Sequence, residues 1–256
     1  MERLVEPELL DILPPQDRRA LRSRRDLRRV NAWMGHPRLM ARALREGSNG
    51  RNPRRIVELG AGDGHFLLRV ARRLQPHRPG ADATLVDRLE AFDPQIRERF
   101  NVLGWRVNIE VADAAEWLRA APPRTAETVI SNFFLHQFDT APLAELCRLA
   151  ARSSQMVVAL EPRRSWLVPF GSGLLWLIGC GFVTRHDGRI SLRAGFAGRD
   201  NKGAVLADPA GQVRPFLLDL VCLFHAILKD LDDLLDAHHC LQIGPLKVPL
   251  PLVPQL

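Results

Sequence analysis

Arg55-Ile56-Val57-Glu58-Leu59-Gly60-Ala61-Gly62-Asp63-Gly64-His65-Phe66-Leu67 decides the fold. Ile56, Val57 and Leu59 form the apolar run of a strand covered on both faces. Gly60, Gly62 and Gly64 let the backbone turn sharply and lie close to a ligand, because no Cβ stands in the way. Leu67, Leu68, Val70, Ala71 and Leu74 then recur at helical spacing, with Arg69, Arg72 and Arg73 on the opposite side. Strand, glycine turn and helix make a nucleotide-type binding turn at the carboxyl end of a first strand.

The dinucleotide fingerprint G-x-G-x-x-G fails here, since its third glycine would fall on His65. A pyrophosphate also seeks a helix N-terminus free of carboxylates, whereas Glu58 and Asp63 flank this turn. A ligand carrying an ammonium and a sulfonium gains from both acids. Glu58 to Gly64 resembles motif I of the class I S-adenosylmethionine-dependent methyltransferases. The resemblance implies that Glu58, Gly60, Ala61, Gly62 and Gly64 bind the cofactor S-adenosyl-L-methionine.

Outward from the turn, Ala83-Thr84-Leu85-Val86-Asp87 reads as a second strand ending in an acid. Asp87 follows Gly64 by the interval at which a doubly wound fold sets a carboxylate on ribose hydroxyls. A helix is expected over residues 93–103 and a strand over 106–111, followed by Ala112-Asp113-Ala114. In the methyltransferases an acid and a small residue in this loop meet the adenine amino group, which implies that role for Asp113 and Ala114. Trp117 is expected to pack the helix that follows. The fourth strand, 127–131, runs into Asn132-Phe133-Phe134-Leu135-His136-Gln137-Phe138. It lacks the Asn/Asp-Pro-Pro-aromatic signature of base and amide methylation and looks like the Asn-x-x-Leu-His variant of small-molecule enzymes. That likeness adds Asn132 to the cofactor site. Neither metal-site acids nor an Asp-Asn pair appears, so magnesium-dependent catechol-type chemistry is not expected.

Methyl transfer is an in-line displacement, so the enzyme positions a nucleophile and in some cases removes its proton. Neutral histidine suits that task for a phenol or enol, because its pKa lies near working pH. His136, just past strand four, is the first catalytic candidate, and His186, beside Asp187 in an expected loop, is the second. Either could equally be a structural loop histidine. His65 is expected only to start a helix.

The expected architecture is a doubly wound, Rossmann-like, mostly parallel α/β sheet spanning residues 51–200, with an N-terminal helical cap over 1–50 and an atypical tail over 201–256. The cap holds one helix at 7–13 and a second at 17–44, bent near Gly35 and Pro37. The second carries Arg18, Arg19, Arg22, Arg24, Arg25, Arg28 and Arg29, read as a solvated face whose stems cover apolar surface, with an RNA-facing stripe as the competing reading. A helix at 141–151 and a strand at 156–162 follow. Residues 166–183 carry no charge. Pro169 and four glycines interrupt them, so they are read as a bent apolar helix walling a pocket for a hydrophobic substrate rather than a membrane span. Residues 184–188 read as a turn, and Arg189-Ile190-Ser191-Leu192-Arg193-Ala194-Gly195-Phe196 alternates like a strand.

The tail differs. It holds all three lysines and carries four bases against six acids, although the whole chain has a net charge of +7. A helix is expected over 216–236, then an extended proline-rich segment over 245–254. Cys222, His225, His239 and Cys240 make only a weak zinc pattern, so no metal is expected. The scattered cysteines and an acidic opening segment point to a cytoplasmic protein with reduced thiols.

The favoured reading is a methyltransferase acting on O or C of a hydrophobic small molecule such as an alkylated phenol or quinol. Residues 24–31 with Met34-Gly35, and 183–187 with 193–196, look similar to bacterial small-molecule methyltransferases found beside type III polyketide synthases. Nucleic acid is not the expected partner, while the basic charge is compatible with peripheral contact to an anionic membrane. The alternatives are an RNA methyltransferase and a cofactor-binding protein without turnover.

Overall fold

A computed structural model describes residues 3–48, 53–74, 80–162 and 175–196, together with the backbone of Leu217 and Leu218. Three helices lead in: α1 (Leu9–Ile12), α2 (Arg18–Trp33) and α3 (His36–Gly47). Strands and helices then alternate as β1 (Arg55–Leu59), α4 (His65–Leu74), β2 (Asp82–Asp87), α5 (Ile96–Asn101), β3 (Arg106–Val111) and α6 (Ala114–Ala120). The series continues with β4 (Thr128–Asn132), a 3-10 turn (Leu135–Gln137), α7 (Thr140–Ser153), β5 (Met156–Pro162), α8 (Phe182–Ala194) and β6 (Leu217–Leu218).

All pairings are parallel, in the order β3-β2-β1-β4-β5-β6. Successive residues point to opposite faces, so each strand feeds two cores. Ile56, Leu85, Ile130 and Val158 join α3, α4 and α5 in one core. Val57, Val86, Val129 and Val157 join α6 and α7 in the other. After β3 the chain crosses to the other side of β1 to form β4. The carboxyl ends of β1 and β4 therefore diverge into a crevice, the place where such sheets bind ligands.

Several expectations need correction. Residues 17–44 form two helices rather than one bent helix, because Gly35 breaks the run with φ 68° and Pro37 opens α3. The helix expected at 93–103 is confined to Ile96–Asn101. The strand expected at 189–196 and the turn before it are both parts of α8. Val183, Thr184, Asp187, Ile190 and Ala194 are buried at helical spacing, which the local alternation concealed. Gly188 is no turn there, since a Cβ would stand 2.8 Å from Leu175 Cδ1 and the helix packs tightly at that point. Of the uncharged segment, residues 163–174 lie outside the described residues. Leu175 and Cys180 pack on Val30 of α2, away from the pocket that the segment was expected to wall. The backbone of Leu217–Leu218 is a strand beside Glu161 and Pro162, not the start of a helix. The rest of the tail, with its weak zinc pattern and proline-rich end, lies outside the described residues. Among the described residues no helix is long and apolar enough to cross a membrane, and no group of side chains could hold a metal ion.

Candidate functional site

The crevice opens into a cavity of about 520 Å³, within the range of ~300–1,000 Å³ usual for small-ligand sites. Its floor is the glycine turn. Gly60 and Gly62 hold φ values of 67° and 57°, a region costly for residues with a Cβ. A Cβ on Gly60 would collide with Phe134 at 2.3 Å, whereas one on Gly62 would meet no atom of the described residues within 4 Å. Space is thus kept above Gly62. The turn is fastened to β2: Ala61 N–H donates to Val86 O at 3.1 Å, and Gly62 N–H donates to Asp87 Oδ2 at 2.7 Å. Asp87 Oδ1 accepts from Leu89 N–H at 2.9 Å, so the carboxylate is aimed by two amides and keeps lone pairs for ligand hydroxyls. Burial raises its pKa against those two bonds.

Glu58 is buried at the end of β1, and its Oε2 has no partner among the described residues. Burial first, and then the charges of Asp63 and Asp87, push its pKa well up, with only the Leu67 amide opposing. Without ligand the acid therefore favours its protonated form more than an exposed glutamate does. Asp113 caps α6 through Oδ1, accepting from Ala115 N–H at 2.9 Å and Glu116 N–H at 3.1 Å. With Ala114 it forms the far wall of the same cavity as Gly60, Ala61, Gly62, Asp87 and Asn132. Gly64 lies beneath the floor, where a Cβ would meet Ile96 and Leu85 at 2.9 Å.

At the end of β4, Asn132 Nδ2 donates to Asn31 Oδ1 at 3.2 Å. Asn132 Oδ1 therefore accepts from His36 Nδ1 at 2.7 Å. Burial holds His36 down at about 4, so it is neutral, and its Nε2 has no partner among the described residues. Phe133 follows with φ 55°, a strained value for a non-glycine residue, and its ring lies edge-on to His36 at 4.8 Å. Phe66, Phe133, Phe134 and Phe138 give the cavity an aromatic lining.

Neither catalytic histidine expected from sequence stands in that lining. His136 is buried, with Nδ1 at 2.8 Å from Glu161 Oε2 and Nε2 at 3.2 Å from Glu8 Oε1. Burial would lower its pKa, but hydrogen bonds and charge from Glu161 and Glu8 overcome this and raise it to about 9. A histidinium locked between two carboxylates is a pin, not a base waiting for a proton. Glu161 also accepts from the amides of Phe134, Leu135 and His136, which fixes the 3-10 turn. His186 sits on α8 rather than in a loop, bonded to Asp187 at 3.1 Å. As expected, His65 starts α4, and it bonds Asp93 at 2.7 Å.

The N-terminal cap expected from sequence forms a roof, but its lining residues were not singled out. Val5, Glu8, Asp11 and Ile12 close the cavity from the N-terminal side, joined by Arg24, Leu27 and Arg28 of α2. Asp187 anchors the roof by accepting from Leu9 and Leu10 N–H at 2.8 and 2.9 Å. Burial and the neighbouring Glu8 raise Asp11 to about 6, with Arg88 opposing. Arg24 donates from Nη1 to Pro15 O at 2.7 Å, and its Nη2 has no partner among the described residues.

These features define a doubly wound α/β binding domain with a glycine turn at its switch point. Among solved structures it is similar to the plantazolicin methyltransferase BamL, crystallised with a triazolic desmethylPZN analog and SAH. The TM-score is 0.50 and the identity 13%, over 75% of this chain and 67% of that one. An O-methyltransferase family protein from Burkholderia thailandensis matches 70% of this chain and 50% of its own, at 21% identity and TM-score 0.44. At these identities the likeness is one of fold. No protein-family model and no curated protein matches the chain.

Proposed function

We propose that this protein is an S-adenosylmethionine-dependent methyltransferase that methylates O or C of a hydrophobic small molecule. The observation that carries the proposal is the turn itself: Gly62 with open space where its Cβ would be, bonded to an Asp87 carboxylate that retains accepting capacity. The fold likeness to BamL, whose crystals held SAH, supports the same cofactor. The residues fit it. Asp87 would accept from ribose hydroxyls, and Asp113 with Ala114 would border the adenine. The unpartnered Glu58 Oε2 offers an acceptor to the amino acid portion.

When bound, S-adenosylmethionine supplies an electrophilic methyl carbon on its sulfonium. The chain contributes position: the Asn31–Asn132–His36 relay fixes the polar end of β4 beside the strained Phe133. The phenylalanine lining excludes water and favours an apolar, aromatic acceptor. Calorimetric titration with S-adenosylmethionine, followed by mass spectrometry of reactions with lipophilic phenols and quinols, tests both halves of the proposal. Absence of cofactor binding would end it. Binding without a methylated product from any acceptor would leave a cofactor-binding protein without turnover.

A further inference from the structure

A second concavity, about 780 Å³, runs between α2, α4 and α5. Arg22, Arg25, Arg28 and Arg29 enter it from α2, and Arg69, Arg72 and Arg99 face them from α4 and α5. The sequence places four of these on one helix, but only the fold brings the other three opposite. Carboxylates neutralise part of the set. Asp26 pairs with Arg29, Asp63 lies 3.3 Å from Arg28, and Asp93 lies 3.7 Å from Arg99. Asp26 is further engaged by Gly181 N–H and Thr184 Oγ1, so it has little left to offer the other arginines.

Arg22, Arg25, Arg69 and Arg72 have no carboxylate partner among the described residues. Arg22 and Arg69 donate to the backbone carbonyls of Gly179 and Arg28, which orients them without neutralising them. Partial burial, together with Arg28, Arg73 and Arg72 close by, holds the Arg69 guanidinium below its ordinary pKa. Like charges crowded in this way raise the local potential, and a multivalent anion would relieve it.

We propose that this groove binds an oligophosphate, a ligand carrying two or more linked phosphates. Guanidinium forks match phosphate oxygens two at a time, and several forks along one trough suit several phosphates in a row. Among the described residues the lining contains no aromatic ring besides His65 and no aliphatic side chain. Without an apolar side chain the described lining offers no anchor for a bilayer, and with one imidazole as its sole ring it offers bases little beyond guanidinium planes to stack on. Arg28, His65 and Arg69 also line the cavity above the glycine turn, so an oligophosphate would sit directly across a shared wall from that site.

The probe is sodium tripolyphosphate, titrated calorimetrically into the full chain at low and moderate salt. Saturable one-site binding is expected, weakening as salt rises. The double variant Arg25→Ala/Arg72→Ala should bind at least tenfold more weakly while keeping the wild-type thermal midpoint within a few degrees. Arg25→Gln/Arg72→Gln should behave alike, which separates lost charge from lost packing. Failure of tripolyphosphate to saturate, or equal affinity in the folded variants, would overturn the proposal. A single-stranded RNA oligonucleotide that displaced tripolyphosphate and bound more tightly would assign the groove to nucleic acid and overturn it equally.

Discussion

His136→Gln removes the cation between Glu8 and Glu161 and leaves two carboxylates facing each other in a buried site. The folded pKa of about 9 against an ordinary 6.5 corresponds to about 3 kcal/mol of stabilisation by the protonated form. Breaking a buried pair by deleting one member costs ~3–5 kcal/mol, a similar figure reached independently. Domains of this kind are stable by only ~5–15 kcal/mol, so the variant should denature at clearly lower guanidinium. The pH dependence follows from the raised pKa. The contribution is complete below the unfolded pKa of 6.5 and is lost as pH rises through about 9. The gap between wild type and variant should therefore be about 2–3 kcal/mol at pH 7 and shrink by most of that amount at pH 9.5. Guanidinium titrations of both proteins at the two pH values measure it. A gap that stays constant between them would show that His136 is not held as a cation. A variant of wild-type stability with a large loss of turnover would restore histidine as the catalytic base.

Gly62→Val should abolish S-adenosylmethionine binding in calorimetry while costing only ~1–2 kcal/mol of stability for its left-handed backbone, because no atom of the described residues lies in the way. Asp87→Ala should weaken the cofactor by about 1.5–3 kcal/mol, the scale of hydrogen bonds to a charged group; unchanged affinity in both variants would remove the functional reading. Asp11, raised to about 6, favours the fold below pH 4, and that advantage fades as pH rises through 6, so Asp11→Asn should gain ~1–2 kcal/mol over wild type at pH 7.5 and nothing at pH 4. Burial pushes Glu58 above its ordinary pKa, and a cationic ligand beside it would pull it back down, so proton release on binding is expected; titrations in buffers of different ionisation enthalpy read this, and Glu58→Gln should abolish the difference.

What the sequence made legible was local. Residues 55–67 carry strand, turn and helix within one window, and Asp87 lies a fixed interval beyond, so floor and ribose-side acid could be read together. The histidine pin could not be, because Glu8, His136, Glu161 and Ser191 are far apart in the chain and none is unusual where it stands. His136 followed a strand end in the position of a base, and only its two carboxylate neighbours reveal its task. His36 and Asn31 were equally hidden, since their relay to Asn132 forms across the gap between α2, α3 and β4. In α8 the alternation of Ile190, Leu192 and Ala194 imitated a strand, whereas burial at Val183, Asp187 and Ile190 shows the helical period over the full length.

The roof of the cavity is made by residues that precede the first strand by more than forty positions, held down by Glu8 on His136 and by Asp187 on the amides of Leu9 and Leu10. A chain lacking residues 1–16 would keep α2, α3, every strand, the glycine turn and Asp87, and still present an open-topped trough to solvent. It would also leave the His136 cation with one carboxylate instead of two. In the intact protein the amino-terminal segment is thus part of the wall that any ligand of the cavity touches. Fusion partners or affinity tags belong at the opposite terminus if the site is to close as drawn.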